Sequence, residues 1–487
     1  MNTASERLLT LPKREQILLG LGLVVLLVVP IMMTESLIPI GIVLAAAIAY
    51  AVIRNPVGSI FAFTVINVLL TLRPKQQLAG DAPTILDLGL GIILTGILFY
   101  WIVRFRIYEF GTLSTSVGQI LLYLFSIWAV FVTLLGFVLD QNPFITGLRE
   151  MLNISPLLIL PVLYERYITP DSKTEQLLFA TILLAGIVVI IKGVFDIRSN
   201  ILEVAYLYQL GRTPFFEALP GFLALIAVSI LMWSRNLKMV WGYSALLLFA
   251  CVGVIITFSR NLYVATLVSI VIVLLSGSAD EFLRGSKRLM LTLVAAIISM
   301  IPVYLTNRVF RLLLVHYGLR FLSTPRSMSS DLSMLNRYAE YHDVWQTILH
   351  SPLFGYGFGA RFRTFEIIRH FHKLVGFTHN SYLYLAFKIG IPGMLLFFLA
   401  FFIFLYKGFK LTRSDKLTPT SRIIVRASVA FMILYLIYAF NAPILDSKTD
   451  MVWIGIIYGY FLALEQKLRK DNDAKLLPSG ITDIAKE

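Results

Sequence analysis

The sequence predicts an all-α, multi-pass integral membrane protein of about fourteen transmembrane helices, with one long extracytoplasmic loop that contains short helices. Three observations carry that expectation. Of the 487 residues, 58% are hydrophobic and only 14% are charged, with a mean hydropathy of +0.80, whereas soluble folds hold an apolar share of roughly 45–50%. Apolar windows long enough to cross a bilayer recur along most of the chain. Basic residues are dense in alternate connections and sparse in the others, which is the pattern that orients spans.

Taken in order, the candidate spans are 17–33, 37–53, 57–72, 85–103, 117–139, 145–164, 176–195, 216–233, 240–257, 261–276, 289–305, 381–406, 423–440 and 452–465. The first run, from Ile17, is followed by further spans and lacks a small-residue cleavage site, so it reads as a span rather than a removable signal. The weakest is 145–164, which carries Arg149 and Glu150 at one end and Pro156 and Pro161 inside. It is expected to be kinked or only partly inserted. Keeping it puts Arg7, Lys13, Arg14, Arg54, Arg104, Arg106, Arg166, Lys173, Arg235, Lys238, Arg284, Lys287, Arg288 and the basic clusters at 407–416 and 467–470 on one side. Only Arg73, Lys75, Arg198, Arg212, Arg260 and Lys448 fall in the short loops opposite. The positive-inside rule then places both termini in the cytoplasm. The expected division is a cytoplasmic N-terminus at 1–16, eleven spans in 17–305, an extracytoplasmic loop at 306–378, three spans in 379–466 and a disordered cytoplasmic tail at 467–487.

Composition also excludes several functions. The net charge of +14 sits mostly in short loops between apolar runs, where it orients spans, so nucleic acid is a poor partner. The single cysteine, Cys251, lies inside an apolar run and allows neither a disulfide framework nor a thiol pair. The long loop is basic and should favour an anionic ligand. It holds or borders all six histidines: His316, His342, His350, His370, His372 and His379. Within it, Leu335–Leu349 reads as an amphipathic helix with Tyr338, Tyr341, Val344, Trp345 and Ile348 on one face, stopped by Pro352 and the glycines of PLFGYGFG.

The stretch HNSYLYLAFKIGIPG, from His379 to Gly393, marks the candidate site. A histidine and an asparagine stand at the mouth of an apolar helix, and Gly390, Pro392 and Gly393 interrupt that helix where it should be deep in lipid. Freed backbone groups at that depth need protein or a cavity to satisfy them. On the expected topology Arg212, Arg260 and His379 meet on the outer side. Interfacial arginines can simply snorkel to head groups, but the tight connection in ITFSRNLYVA holds Arg260 at the edge of the hydrocarbon, and ionisable groups so placed are functional candidates. His379 could instead belong to a helix cap with Asn380 or Thr378. His370-x-His372 lacks the spacings that fix a metal. Gly355, Gly357 and Gly359 lack the GK[ST] of a phosphate loop and read as a turn. Lys388 lies two residues before Gly390 and needs a water-filled cavity or an anionic partner.

His379-Asn380, nine residues, then Gly390-x-x-Gly393 resembles the H[NSQ]-x9-G-x-x-G pattern of the O-antigen ligase and polymerase superfamily. Asn336–Phe362 (NRYAEYHDVWQTILHSPLFGYGFGARF), Arg260 after Ser259, and Arg212 before PFFEALPGFLALIA are similar to further segments of that family, in the same order. The resemblance implies an inverting, metal-independent glycosyltransferase of the C type, without cofactor, at the outer face of a bacterial inner membrane. Its donor would be a glycan on undecaprenyl pyrophosphate, in O-antigen, capsule or exopolysaccharide biosynthesis. Arg212 and Arg260 would hold the pyrophosphate and His379 would act at the acceptor hydroxyl, with Arg337, Asn380 and Lys388 as further candidate contacts. Many relatives carry an acid where this chain has Lys388, which weakens any role carried over there. Implied partners are the donor, a glycan acceptor, membrane lipids and other polysaccharide assembly proteins. A polymerase extending a lipid-linked glycan is placed ahead of a ligase acting on lipid A-core or a protein. A lipid-linked glycan flippase is the rival from another class, but it should show two related halves and no internal repeat is seen.

Overall fold

The computed structural model describes residues 55–70, 85–108, 116–203, 218–257, 259–306, 311, 315, 332–367, 370–443, 445 and 447–476. In chain order they form α1 (Pro56–Leu70), α2 (Ile85–Tyr108), α3 (Val117–Leu139), α4 (Phe144–Tyr167), α5 (Ser172–Glu203), α6 (Ala218–Trp233) and α7 (Leu237–Ile256). There follow α8 (Arg260–Leu275), α9 (Ala279–Thr306), α10 (Leu332–His350), β1 (Phe362–Glu366), β2 (Phe371–Val375), α11 (Ser381–Thr412), α12 (Pro419–Tyr438) and α13 (Lys448–Leu476). Each expected span from 57–72 onward overlaps one of these helices, whereas 17–33 and 37–53 lie outside the described residues. Among the described residues, seven helices, α3, α4, α5, α7, α9, α11 and α12, are long and apolar enough to cross a membrane. Shorter apolar stretches occur in α1, α2, α6 and α8. The protein is a predominantly helical integral membrane protein; the count of fourteen rests on the sequence alone.

Side chains sort the helices by depth within the bundle. Helix α6 is buried from Ala218 to Met232, and α13 is buried from Met451 to Leu464. A helix that is apolar all round is an interior helix. Helix α13 lies along α4, where Gly455 and Gly459, one turn apart, let the backbones approach; a Cβ on either would meet Pro156 O at 2.7 Å or Tyr164 Cβ at 2.3 Å. Stacked rings join α6 to α12 through Phe222 and Phe431 (4.1 Å) and α11 to α13 through Phe404 and Tyr458 (3.9 Å). By contrast α3, α7 and α9 each expose a stripe of large apolar side chains, the face expected to meet lipid.

Several details refine or depart from the sequence-based picture, and α13 continues as helix to Leu476, ten residues into the expected disordered tail. The weak span is one unbroken helix, α4, running through Pro156 and Pro161; Ser155 Oγ donates to Leu152 O (2.9 Å), the carbonyl that Pro156 cannot engage. The apolar face of α10 is only partly buried. Val344 and Ile348 are buried, but Tyr338 and Trp345 are exposed. Between α10 and α11 the chain also forms an antiparallel hairpin, in which Phe362 pairs with Val375 and Glu366 with Phe371, rather than helices only. Alternating Phe362, Thr364 and exposed Arg363 is the period of a half-buried strand.

Polar bonds mark the two ends of the bundle. At one end Lys467 reaches Pro170 O, Lys416 reaches Asn472, Arg288 reaches Ser234 O, and Glu175 accepts from Thr418, Ser421 and Tyr460. At the other end lie the α3–α4 connection, the start of α8, the hairpin, the start of α11 and the end of α12, joined by the contacts described next.

Candidate active site

Helix α11 begins at a true cap. Asn380 Oδ1 accepts from the backbone amides of Tyr382 (2.9 Å) and Leu383 (3.1 Å), which satisfies two of the orphan donors of a helix N-terminus. That leaves His379 just outside the helix and uncommitted to capping. Its backbone amide donates to Glu340 Oε1 (2.6 Å), and its Nδ1 lies 2.9 Å from Glu340 Oε2. Glu340 is almost fully buried, and the His379 ring is about one-third exposed (35%), with Phe377 edge-on at 5.6 Å. Burial acts to raise the Glu340 carboxyl, but hydrogen bonds from His379 and Thr378, and the His379 charge, outweigh it and hold the group below the usual carboxylate range.

One helix end ties this pair to Arg260. Ser381 donates through its amide to Ala439 O (2.9 Å) and through Oγ to Ala442 O (2.8 Å). Tyr341, one residue past Glu340, donates to Phe440 O and Asn441 Oδ1, both at 3.2 Å; burial pushes its phenol up to about 12, so it stays a neutral donor. On the far side of the same segment, Asn261 Nδ2 donates to Tyr438 O (2.9 Å) and Ile437 O (3.3 Å). Residues 437–442 are therefore the shared mount of the His379 cap and of the first turn of α8, which Arg260 opens after Ser259. Arg337 is half-buried, three residues before Glu340 on α10. Arg212 lies outside the described residues.

The break in α11 is answered by protein. Gly390 has φ +72°, ψ 169°, a left-handed conformation that favours glycine. The carbonyls it frees are taken: Phe387 O accepts from Tyr356 N (3.0 Å), Lys388 O from Gly357 N (2.7 Å) and Ile389 O from Trp128 Nε1 (2.8 Å). Ile391 N turns to Pro352 O (2.8 Å). The loop that supplies these partners, PLFGYGFG, is wedged between α3, α4 and α11, with Asn142 Nδ2 on Tyr356 O (2.6 Å) and Thr133 Oγ1 accepting from Phe358 N (3.3 Å). Gly355 (φ +65°) shows why no side chain is tolerated: a Cβ there would sit 2.5 Å from Gly390 N. This is no phosphate cradle, because the amides of Gly357 and Gly359 are spent on Lys388 O and Glu150.

Lys388 has no exposed side-chain surface. Its Nζ lies 2.7 and 3.0 Å from the two oxygens of Glu150 on α4 and donates to Ala360 O (2.8 Å), while Glu150 Oε2 also accepts from Gly359 N (2.8 Å). Of the two environments that the sequence allowed for Lys388, the anionic partner is the one present, and the enclosed ammonium is turned into the protein.

Sequence reasoning missed Glu340 and Glu150 as partners. Glu340 stood in the sequence three residues after Arg337 inside the family-like segment, and Glu150 stood as an unexplained charge on the weak span; each needed a residue 39 or 238 positions away to become meaningful.

Residues 245–398 match the family described as O-antigen ligase. The chain thus resembles the O-antigen ligase and polymerase superfamily over a segment that includes Arg260, Glu340, His379, Lys388 and Gly390. A comparison with curated proteins finds no match. The O-antigen ligase match supports ligase- or polymerase-type activity in general, a lipid-linked glycan substrate and an integral membrane location.

Proposed function

We propose that the chain is a metal-independent glycosyltransferase that moves a glycan from polyprenyl pyrophosphate to a glycan acceptor at the outer face of a bacterial inner membrane, with both termini in the cytoplasm. The observation that carries this reading is the His379–Glu340 pair, set at the mouth of the O-antigen ligase motif and mounted on the same helix end as Arg260. Pairing Nδ1–H with the carboxylate leaves Nε2 as the base. It takes the proton of the acceptor hydroxyl as that oxygen attacks the anomeric carbon and the bond to the pyrophosphate oxygen breaks. The sugar carbon inverts, and the leaving pyrophosphate gains negative charge. A carboxylate behind the ring supports the imidazolium that forms.

Arg260 and Arg212 are assigned to the leaving pyrophosphate. A planar guanidinium matches phosphate in two parallel bonds and keeps its charge at any working pH. The acceptor of a polymerase is a lipid-linked glycan and that of a ligase is lipid A-core or a protein; the chemistry at His379 is common to both.

The arginine assignment is tested by conversion of a polyprenyl pyrophosphate-linked glycan in detergent by Arg260→Lys and Arg212→Lys enzymes. Lysine keeps the charge and loses the fork, so turnover should fall by roughly 10²- to 10³-fold with membrane insertion unchanged. Near wild-type rates in both would return the two arginines to head-group anchoring.

A further inference from the structure

We propose that residues 352–359 form a re-entrant turn whose tip, Leu353–Phe354, is immersed in the acyl chains of the leaflet nearest the His379 end, and that the last turns of α10 lie in that interface. The tip of PLFGYGFG and the exposed stripe of α10 take no part in the site, and their surroundings identify a lipid surface as the occupant.

The depth of the tip can be read against α3. That helix ends at Leu139, followed by Asp140, Gln141 and Asn142, so its polar exit marks the membrane boundary. The Phe354 ring stacks on Trp128 (5.6 Å, 18°) and meets Phe131 edge-on (6.4 Å). These are eleven and eight residues before Leu139, or about 16 and 12 Å below the exit at about 1.5 Å per residue. Half of a hydrocarbon core is about 15 Å. Phe354 therefore lies at a depth where water is absent.

The tip is also uncovered by protein. Leu353 is 60% and Phe354 44% exposed, and on the preceding helix Trp345 (44%) and Leu349 (52%), one turn apart, are exposed as well. Phe131 and Leu134 of α3 are themselves exposed, so the tip adjoins the stripe of a candidate span that faces lipid. Irregular backbone at such depth requires internal hydrogen-bond partners. The turn has them: Tyr356 N, Gly357 N and Pro352 O bond to α11, Gly359 N to α4, and Tyr356 O to Asn142 in the α3–α4 connection. The exposed side chains of the tip, Leu353 and Phe354, are apolar, and Trp345 on the preceding helix is of the type that anchors at an interface. The His379 mouth would then open at the membrane surface, within reach of a lipid-borne substrate.

The test uses the full chain in lipid nanodiscs with Cys251→Ala and one fluorophore-labelled cysteine at a time: Leu353→Cys, Leu349→Cys, Leu134→Cys as a lipid-facing reference and Arg363→Cys on the hairpin as an aqueous one. Each variant is first required to elute as a single species. Nitroxide-bearing lipids should quench the Leu353 and Leu349 labels as strongly as Leu134, and iodide should quench only Arg363. If iodide quenches Leu353 and Leu349, the turn is in water. If neither quencher reaches them, protein covers these side chains. Either result overturns the proposal.

Discussion

Glu340 fixes what His379 can do. A histidine beside a helix is ambiguous in sequence, because a cap, a metal ligand and a base all use the same ring. Asn380 takes the cap, and Glu340, which holds Nδ1 and the backbone amide together, supports the proposed base. His379→Ala should lower turnover by about 10²-fold or more, and Glu340→Gln should do so by a similar factor, since the amide keeps a carbonyl oxygen for the His379 amide but loses the charge behind the ring. Residues acting as one unit are not additive, so the double variant should be no slower than His379→Ala; a product of the two losses would show that Glu340 acts on its own. The depressed Glu340 carboxyl also has a pH consequence. A group whose folded value lies below its unfolded one adds stability above the unfolded value, about 4.3 for glutamate, and loses that stability as pH falls through the folded value. Thermal unfolding between pH 7 and pH 3 should accordingly show a steeper acid loss in the wild type than in Glu340→Gln.

At the scale of the element, α11 is the part most legible from sequence. Gly390-Ile-Pro-Gly393 announces a broken helix in lipid, and the physical demand that its carbonyls be satisfied follows at once. The identity of the partners does not, because PLFGYGFG read locally is only a turn and Trp128 lies 261 residues from the carbonyl it serves. The hairpin was illegible for a different reason: five-residue strands carry too short an alternation to stand out in a basic loop, and Lys373–Glu366 (2.9 Å) and Asp343–Phe365 N (3.1 Å) stabilise it only in place. The Glu150–Lys388 pair supplies a prediction at this scale. Removing one member of a buried pair leaves an uncompensated charge and costs about 3–5 kcal/mol, whereas replacing both by neutral groups of similar size is often near neutral. Lys388→Met should thus lower the unfolding midpoint in detergent sharply, and Glu150→Gln with Lys388→Met should recover most of it. If the double variant is as unstable as Lys388→Met, the pair is not what locks the loop to the break.

For the whole molecule, hydropathy located the helices well because lipid imposes one rule on every span. It could not order them in depth: α6 is at least as apolar as α9 yet is interior, and only packing shows it. The proposed topology puts the hairpin outside the cell membrane and the 407–418 connection inside. In a Cys251→Ala background, a membrane-impermeant thiol reagent added to intact spheroplasts should label a cysteine at exposed His372 and spare one at Asp415; the opposite pattern would invert the topology and remove the outer-face mechanism with it.

Cleavage of the glycosyl–phosphate bond separates the central claim from its transporter rival. In proteoliposomes containing the purified chain, a polyprenyl pyrophosphate-linked glycan and a glycan acceptor, the account predicts release of free polyprenyl pyrophosphate together with a new inverted glycosidic bond, both lost in His379→Ala. Movement of intact donor across the bilayer, without bond cleavage and equally in His379→Ala, would contradict it.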